Sequence, residues 1–202
     1  MLEYAVYSIK LEFTKKVLGG IPADAGKAAK WAEDKNIPAT VFERMKENKS
    51  AGDYYLVRDS IGPYIPDKHV KAHLRDKLVA MEVFDKELIS RKISIMATIV
   101  PRIIRFYRDD EIITKCEGLE EVKGVYYEYI DAGARITFVI AMPKPVGFLN
   151  SVNISRAFTI GQNSGFGTIR NSYGMYNLIG FENQPSVEIE PGENIEVVLA
   201  QE

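Results

Sequence analysis

Hydrophobic and polar residues alternate along the first 13 positions of the chain. From position 5 onward, one face of this segment carries only hydrophobic side chains: Ala5, Tyr7, Ile9, Leu11 and Phe13. The opposite face is mostly polar, and a period of two residues is typical of a strand that is buried on one side. The alternation is followed by two consecutive glycines, Gly19 and Gly20, which indicate a turn. The chain therefore begins with a predicted β-strand.

A helical period appears in two later segments. After Asp67, which is a favourable N-cap residue, apolar positions recur three or four residues apart: Val70, Leu74, Leu78 and Met81. A shorter helix is predicted over 150–160, where Asn150 is a candidate cap and Gly161 is a natural end. These two segments are the predicted helices of the core.

Apolar runs predict further strands at 92–100, 135–142 and 173–181. Two extensions lie outside this set: a polar helical insertion at 20–60, and a tail at 183–202 that is predicted to form a C-terminal β-hairpin. Without them the order is β-α-β-β-α-β, which is the ferredoxin-like, or RRM-like, unit. We therefore predict one α+β domain over 1–202, with helices on one face of the sheet and the other face free.

Composition excludes several classes of protein. A net charge of −2 argues against a strongly basic nucleic-acid-binding surface over the whole chain, although local basic patches are compatible with it. The single cysteine, Cys116, excludes an intrachain disulfide and a zinc site built from several cysteines. No apolar run approaches the roughly 20 residues of a membrane span, and the start lacks a signal-peptide pattern. We expect a soluble, cytoplasmic protein with no membrane partner.

A glycine-rich segment separates the second core helix from the last strand. It combines Gly165 and Gly167 with Arg170 and Asn171. Glycine tolerates positive φ and leaves its N–H uncovered, and successive uncovered N–H groups form an anion-binding concavity. An arginine beside such a turn can hold two phosphate oxygens. The same pattern also fits a tight helix-to-strand connection without a ligand, and both interpretations stay open.

A basic and aromatic segment follows the predicted strand at 92–100. Arg102, Arg105 and Arg108 are spaced three apart, and Phe106 and Tyr107 lie between the last two. Arginine pairs with phosphate and stacks on bases, and aromatic rings offer further stacking platforms for a single strand. The alternative is that the arginines are solvated and the aromatic side chains belong to the core.

Two motifs resemble the RAMP superfamily, the repeat-associated RNA-binding proteins of CRISPR systems and their relatives in phages and mobile elements. The sequence GFGTIRNSYGM at 165–175 is similar to the superfamily's C-terminal glycine-rich loop, in which glycines flank a basic residue before the last core strand. The sequence GPYIPD at 62–67, which leads into Val70, Leu74 and Arg75, is similar to the entry into the first helix of its backbone-forming subunits.

Together, the residues and the resemblance predict a module that binds single-stranded nucleic acid, with RNA favoured over DNA. The predicted contacts lie in the glycine loop and the basic-aromatic segment: Gly165, Gly167, Arg170, Asn171, Arg102, Arg105, Tyr107 and Arg108. The resemblance further implies a CRISPR-type or phage-encoded ribonucleoprotein assembly, in which the chain associates with copies of itself or with other subunits.

Some RAMP proteins are metal-independent endoribonucleases, and an enzymatic function is the first alternative. His69 and His73 are the two histidines of the chain, and their spacing of four places them on one helix face. The helical period predicts that this face is exposed or lies at a groove edge, where both could transfer protons. As zinc ligands they lack the glutamate of H-E-x-x-H, because Val70 holds its place. We predict no metal and no cofactor.

A third interpretation is a structural or scaffold protein of a virus or mobile element that does not bind nucleic acid. The negative net charge and the acidic segment at 182–202 favour it. Phosphate contacts make binding fall steeply with salt, so retention on single strands and its salt dependence separate this interpretation from the first.

Overall fold

A computed structural model describes residues 1–19, 25–34, 36–47, 56–82, 85–122, 125–166, 172–190 and 192–199 of the 202-residue chain. The strands are β1 (Leu2–Phe13), β2 (Val17–Leu18), β3 (Tyr64–Pro66), β4 (Thr98–Val100), β5 (Ile103–Arg105), β6 (Tyr107–Arg108), β7 (Glu111–Ile112), β8 (Gly118–Val122), β9 (Val125–Ile130), β10 (Arg135–Pro143) and β11 (Tyr176–Ile189). The helices are α1 (Ala25–Asp34), α2 (Ala39–Glu47), α3 (Asp67–Ala80), α4 (Lys86–Met96), α5 (Ser151–Gly161) and α6 (Ile195–Leu199). Helices and antiparallel sheets are both present, so the α+β class is confirmed.

The alternating segment at the start of the chain forms the central strand of the main sheet. β1 pairs antiparallel with β10 on one side and with β11 on the other, and this register sets Ile9 opposite both Phe138 and Phe181. β4 pairs antiparallel with β10, so the order across the sheet is β11-β1-β10-β4. β6 and β7 extend the sheet beside the start of β10.

Helices α3 and α5 supply much of the apolar surface that packs against this sheet. The main core combines side chains from both helices with those of β1 and β10: Val70, Leu74, Leu78, Ile154, Ala157, Phe158, Leu11, Phe13, Ile136, Phe138 and Ile140. Helix α5 begins as predicted, because the Asn150 side chain accepts a hydrogen bond from the N–H of Asn153 at 3.1 Å. None of the described helices has both the length and the apolar character that crossing a bilayer requires.

The opposite face of the main sheet is only partly covered. Helix α6 closes one end of it through a small apolar cluster: Val6, Ala141, Ile189 and Ile195. Further along, the face carries polar side chains that are half-buried or exposed: Ser8, Lys10, Thr137 and Glu182. Because strand side chains alternate, the rings of Tyr7 and Phe13 point into the main core instead. The uncovered part of this face is therefore polar and is not an aromatic stacking platform.

The segment that we interpreted as an insertion contains α1 and α2. They pack on a second antiparallel sheet of order β2-β9-β8 through a separate apolar cluster: Leu18, Ala28, Ala32, Phe42 and Tyr127. Strand β8 lies in an acidic stretch without an alternating pattern, and its pairing with β9 is what makes it a strand.

The predicted strand over 92–100 is wrong for most of its length. Helix α4 continues to Met96, and only β4 is extended. The Asp85 carboxylate caps this helix by accepting hydrogen bonds from the N–H groups of Glu87 and Leu88, both at 2.9 Å. Ile89 and Ile93, one turn apart, are buried. The cap and the packing outweigh the strand preference of β-branched isoleucines.

The predicted C-terminal hairpin over 183–202 is also wrong in the described part of the tail. β11 continues along β1 until Ile189 lies opposite Leu2, and the chain then forms α6 instead of a returning strand. The Asn194 side chain accepts a hydrogen bond from the N–H of Glu196 at 2.9 Å, and Ile195 is buried. The alternation in this tail is explained by pairing with β1, which the local pattern does not reveal.

Candidate nucleic-acid interface

The described part of the glycine-rich segment forms two arms, 161–166 and 172–175, that lie against each other. The N–H of Phe166 donates to the carbonyl oxygen of Gly174 at 2.8 Å. Gly165 and Gly174 have φ values of +72° and +63°, and a β-carbon at Gly165 would lie 2.2 Å from the carbonyl oxygen of Tyr173. Glycine is required here because the two arms approach too closely for a side chain.

This geometry corrects the expectation for Gly165. Its N–H donates to the carbonyl oxygen of Gly161 at 3.1 Å, and the residue is buried, so this N–H is not available to an anion. The other predicted contacts of the segment, Gly167, Arg170 and Asn171, lie outside the described residues. Within the described part of the segment, the glycines allow its two arms to pack against each other.

The side chain of His73, on α3, packs against the first arm. Its ring stacks on Phe166 with a centroid distance of 4.0 Å and an interplanar angle of 16°. Its Nε2 lies 2.8 Å from the hydroxyl of Tyr176, which in turn donates to the carbonyl oxygen of Phe158 at 2.9 Å. A hydroxyl has one proton, so the His73 Nε2–H is the donor in the first bond. Burial raises the pKa of Tyr176, which keeps its hydroxyl protonated.

The prediction that both histidines face solvent is wrong for His73. His73 is 3% exposed, whereas His69, one turn earlier, is exposed. Helix α3 packs against both α4 and α5, and the glycine-rich arm covers a third side, so the buried surface is wider than the apolar stripe indicates. The two histidines therefore do not form one exposed pair.

The three arginines of the basic-aromatic segment each contact a carboxylate from another part of the chain. Arg102 forms two hydrogen bonds with Glu196, at 2.6 and 2.7 Å. Arg105 pairs with Asp59, and Arg108 pairs with Glu117. Because the bond from Arg105 favours the ionised carboxylate, the pKa of Asp59 lies well below its usual range. The positive charges of this segment are therefore compensated within the protein.

The burial of this segment agrees with the alternative that we left open. The Phe106 side chain is fully buried in the core, and Tyr107 is half-buried. The Arg105 side chain is only 11% exposed, and its guanidinium also donates to the carbonyl oxygen of Gly62 at 3.1 Å. Arg102 is the exposed member, at 67%. Arg105 and Arg108 thus join separate loops, and Arg102 is the arginine of this segment that a ligand could most readily approach.

A cavity of about 390 Å³ opens where the residues that follow β1 meet the second arm of the glycine-rich segment. We call it the β1-end cavity, and it is lined by Thr14, Lys15, Lys16, Asp131, Ala132, Ser172 and Tyr173. Backbone hydrogen bonds hold its two sides together: the N–H of Thr14 donates to the carbonyl oxygen of Met175 at 2.8 Å, and the N–H of Gly174 donates to that of Lys16 at 2.7 Å. Backbone hydrogen bonds therefore join the two stretches of chain that form the cavity.

The two lysines of the β1-end cavity differ in their electrostatic environment. The Lys16 ammonium lies 2.6 Å from the Glu120 carboxylate and 4.1 Å from the centre of the Tyr129 ring, and its bond to Glu120 raises the pKa of Lys16. Lys15 is exposed and, within the described part of the chain, has no carboxylate partner. An anion that entered the cavity would therefore meet, at Lys15, an ammonium group that no carboxylate of the described residues contacts.

Sequence reasoning did not identify the residues of this cavity. The polar run Thr14-Lys15-Lys16 directly after the alternating strand was a usable signal, because it marks an exposed strand end. Its neighbours, Ser172 and Tyr173, are more than 150 positions away, and only the pairing of β1 with β11 brings the two stretches together.

Comparisons with known proteins assign no family to this chain. Its sequence matches no protein-family model and no curated protein.

Proposed function

We propose that this protein is a RAMP-like module that binds single-stranded nucleic acid, RNA in preference to DNA, at the β1-end cavity beside the glycine-rich loop. We further propose that its core is ferredoxin-like and that it works within a ribonucleoprotein assembly. The strand order β11-β1-β10-β4 supports the ferredoxin-like core, because it places the four predicted core strands in the order fourth, first, third and second. Its antiparallel pairing also fits that arrangement.

The observation that carries the binding proposal is the composition of the cavity wall. Lys15 offers a charge to a phosphate, and the hydroxyls of Thr14 and Ser172 offer further donors. The ring of Tyr173 in the same wall offers a face on which a base can stack. A cation, hydroxyls and an aromatic ring within one cavity are the groups that a nucleotide of a single strand requires.

The preference for RNA is supported by Asp131 in the same wall. A carboxylate repels a phosphate, but it accepts a hydrogen bond from the 2′-hydroxyl, which is the group that distinguishes RNA from DNA. The cavity thus offers an acceptor for the ribose next to donors for the phosphate.

Catalysis by the two histidines is not part of the proposal. A general acid or base has to come within hydrogen-bonding distance of the proton that it transfers. His73 is buried against Phe166 and is bonded to Tyr176, so a substrate does not reach its ring in this conformation. His69 would then have to transfer protons without His73, its predicted catalytic partner.

The experiment is a fluorescence-anisotropy titration with labelled RNA, DNA of the same sequence, and duplex, at several salt concentrations. We expect the order RNA, then single-stranded DNA, then duplex. Replacing Lys15 by alanine should weaken RNA binding about tenfold and reduce the salt slope by about 0.7, the value for one phosphate contact on a single strand. The matched control is Lys86→Ala, which removes an exposed lysine from α4, outside the cavity wall.

Two results would contradict the proposal. The first is the absence of binding to single strands at low salt, which would favour the scaffold interpretation. The second is an equal loss of affinity in Lys15→Ala and Lys86→Ala, because that would reflect the total charge of the protein and not a contact in the cavity.

A further inference from the structure

A second cavity, of about 350 Å³, lies between the first turns of α5 and the middle of β11. We call it the α5–β11 cavity, and it is lined by Ser151, Val152, Ser155, Arg156, Phe181 and Asn183. No motif in the sequence predicts it. Helix α5 connects it to the first cavity, because the helix begins here and ends at Gly161, where the glycine-rich segment starts.

Arg156 differs from most arginines of the protein. Six of the arginines whose side chains the structure describes contact a carboxylate: Arg58, Arg75, Arg102, Arg105, Arg108 and Arg135. Arg156 is exposed and, like Arg91, has no such contact within the described residues. Its guanidinium is therefore available to an external anion, and its planar fork fits two oxygens of a phosphate.

The strand side of the cavity presents a fixed aromatic ring. Phe181 is half-buried and stacks on Tyr7, with a centroid distance of 6.0 Å and an interplanar angle of 18°. Tyr7 is itself buried, so it holds the Phe181 ring in the cavity wall. Asn183, two residues along the same strand, lies on the same side, and its exposed amide has both a donor and an acceptor for the edge of a base.

The helix side of the cavity presents hydroxyls next to the arginine. Ser151 and Ser155 are four residues apart on α5, so their side chains lie one above the other on one face. Hydroxyls donate to phosphate and sugar oxygens. The two sides together offer a cation and donors for a phosphate, and a ring and an amide for a base.

We propose that the α5–β11 cavity is a second nucleotide-binding site, which holds a nucleotide of the same strand that occupies the β1-end cavity. This proposal rests on the proposed function in that it supplies a second contact for one strand. Tyr173 of the β1-end cavity precedes Tyr176, the first residue of β11, by three residues. Five further residue steps along β11, about 17 Å at 3.3 Å per residue, separate Tyr176 from Phe181 of the α5–β11 cavity. One nucleotide does not span that distance, whereas an oligonucleotide does. A free mononucleotide offers this cavity the same phosphate, sugar and base as one nucleotide of a bound strand. The test therefore distinguishes a free mononucleotide from a strand as the ligand.

The test measures the affinity of the full chain for uridine 5′-monophosphate and for labelled oligouridylates of increasing length. For the wild type we expect affinity to rise sharply above the length that reaches both cavities. Arg156→Ala should abolish this rise and lower the affinity for the longest oligouridylate about tenfold. Phe181→Leu keeps an apolar side chain against Tyr7 but removes the aromatic face. It should also lower the affinity for the longest oligouridylate. Arg91→Ala is the matched control, because it removes from α4 an exposed arginine that also lacks a carboxylate contact among the described residues.

The outcomes separate this proposal from the proposed function. If Lys15→Ala weakens binding and Arg156→Ala does not, the second site is overturned and the first stands. If the mononucleotide binds, and Arg156→Ala but not Lys15→Ala abolishes its binding without any length dependence, the cavity is a nucleotide site and the binding of a strand is overturned. If no ligand of any length binds, both proposals fail.

Discussion

Gly161 ends α5, and the absence of a side chain there makes room for two buried polar groups. A β-carbon at this position would lie 2.1 Å from the Tyr176 hydroxyl oxygen and 2.4 Å from Nε2 of His73. Ordinary van der Waals contacts begin at 3.4 Å, so the hydroxyl would have to retreat by more than an ångström. It is held by bonds of 2.8 Å to His73 and 2.9 Å to Phe158, and both would be distorted. Gly161→Ala should therefore destabilise the protein.

The size of the effect follows from three terms. Each distorted hydrogen bond costs about 0.5–1.5 kcal/mol, and overpacking of the core costs about 1–3 kcal/mol. Alanine is favoured over glycine in a helix by up to about 1 kcal/mol, which offsets part of this loss. Two distorted bonds and the overpacking together cost about 2–6 kcal/mol, so after this offset we expect the free energy of unfolding to fall by about 1–5 kcal/mol.

The measurement is urea denaturation followed by circular dichroism. With a slope of about 2 kcal/mol per molar urea, the midpoint should fall by about 0.5–2.5 M. Gly133→Ala is the control: Gly133 has φ of +84°, but a β-carbon at this position would meet nothing within 4 Å, so only the backbone cost of about 1–2 kcal/mol applies. If Gly161→Ala destabilises the protein no more than Gly133→Ala does, the contact between α5, Tyr176 and His73 is not as described.

Two further predictions concern the ion pair of Arg105 and the cap of α4. Because the folded-state pKa of Asp59 is depressed, its pair with Arg105 stabilises the protein above the ordinary aspartate pKa of about 3.9, and this stabilisation is lost as the pH falls below it. The urea midpoint of the wild type should therefore fall more between neutral pH and about pH 3 than that of Asp59→Asn, and parallel profiles would refute this. Asp85→Ala should lower the free energy of unfolding by about 1 kcal/mol in the same assay, because it removes the acceptor for two N–H groups of α4. An unchanged midpoint would contradict the helical cap.

The elements that could be predicted from the sequence are those whose signal is local. The alternation that ends at Phe13 predicts β1, and the spacing of Val70, Leu74 and Leu78 predicts α3, because each pattern repeats the period of its own backbone. Helix α4 was missed since its isoleucine-rich sequence suits a strand. The segment is helical because the Asp85 carboxylate caps its first N–H groups and because Ile89 is buried.

The candidate site could be predicted far less well. The spacing of the histidines placed them on one helix face, but it could not show that Phe166 covers one of them. The sequence shows the three positive charges of the basic-aromatic segment, but it does not show their carboxylate partners. These lie as far as 94 residues away, at Glu196 for Arg102. Charge compensation of this kind has no local signature, because nothing in the neighbouring sequence specifies which loop will lie beside a side chain.

The sequence by itself therefore determined the α+β class, the first strand and the two core helices, because hydrophobic burial imposes a period on each element. The tertiary structure alone decided which charges and rings are available. It paired Arg105 with Asp59, buried His73, and left Lys15 and Arg156, at the edges of two cavities, without carboxylate partners among the residues that the structure describes. The physical reason is that availability to a ligand depends on what the folded chain places next to a group, and those neighbours are distant in sequence.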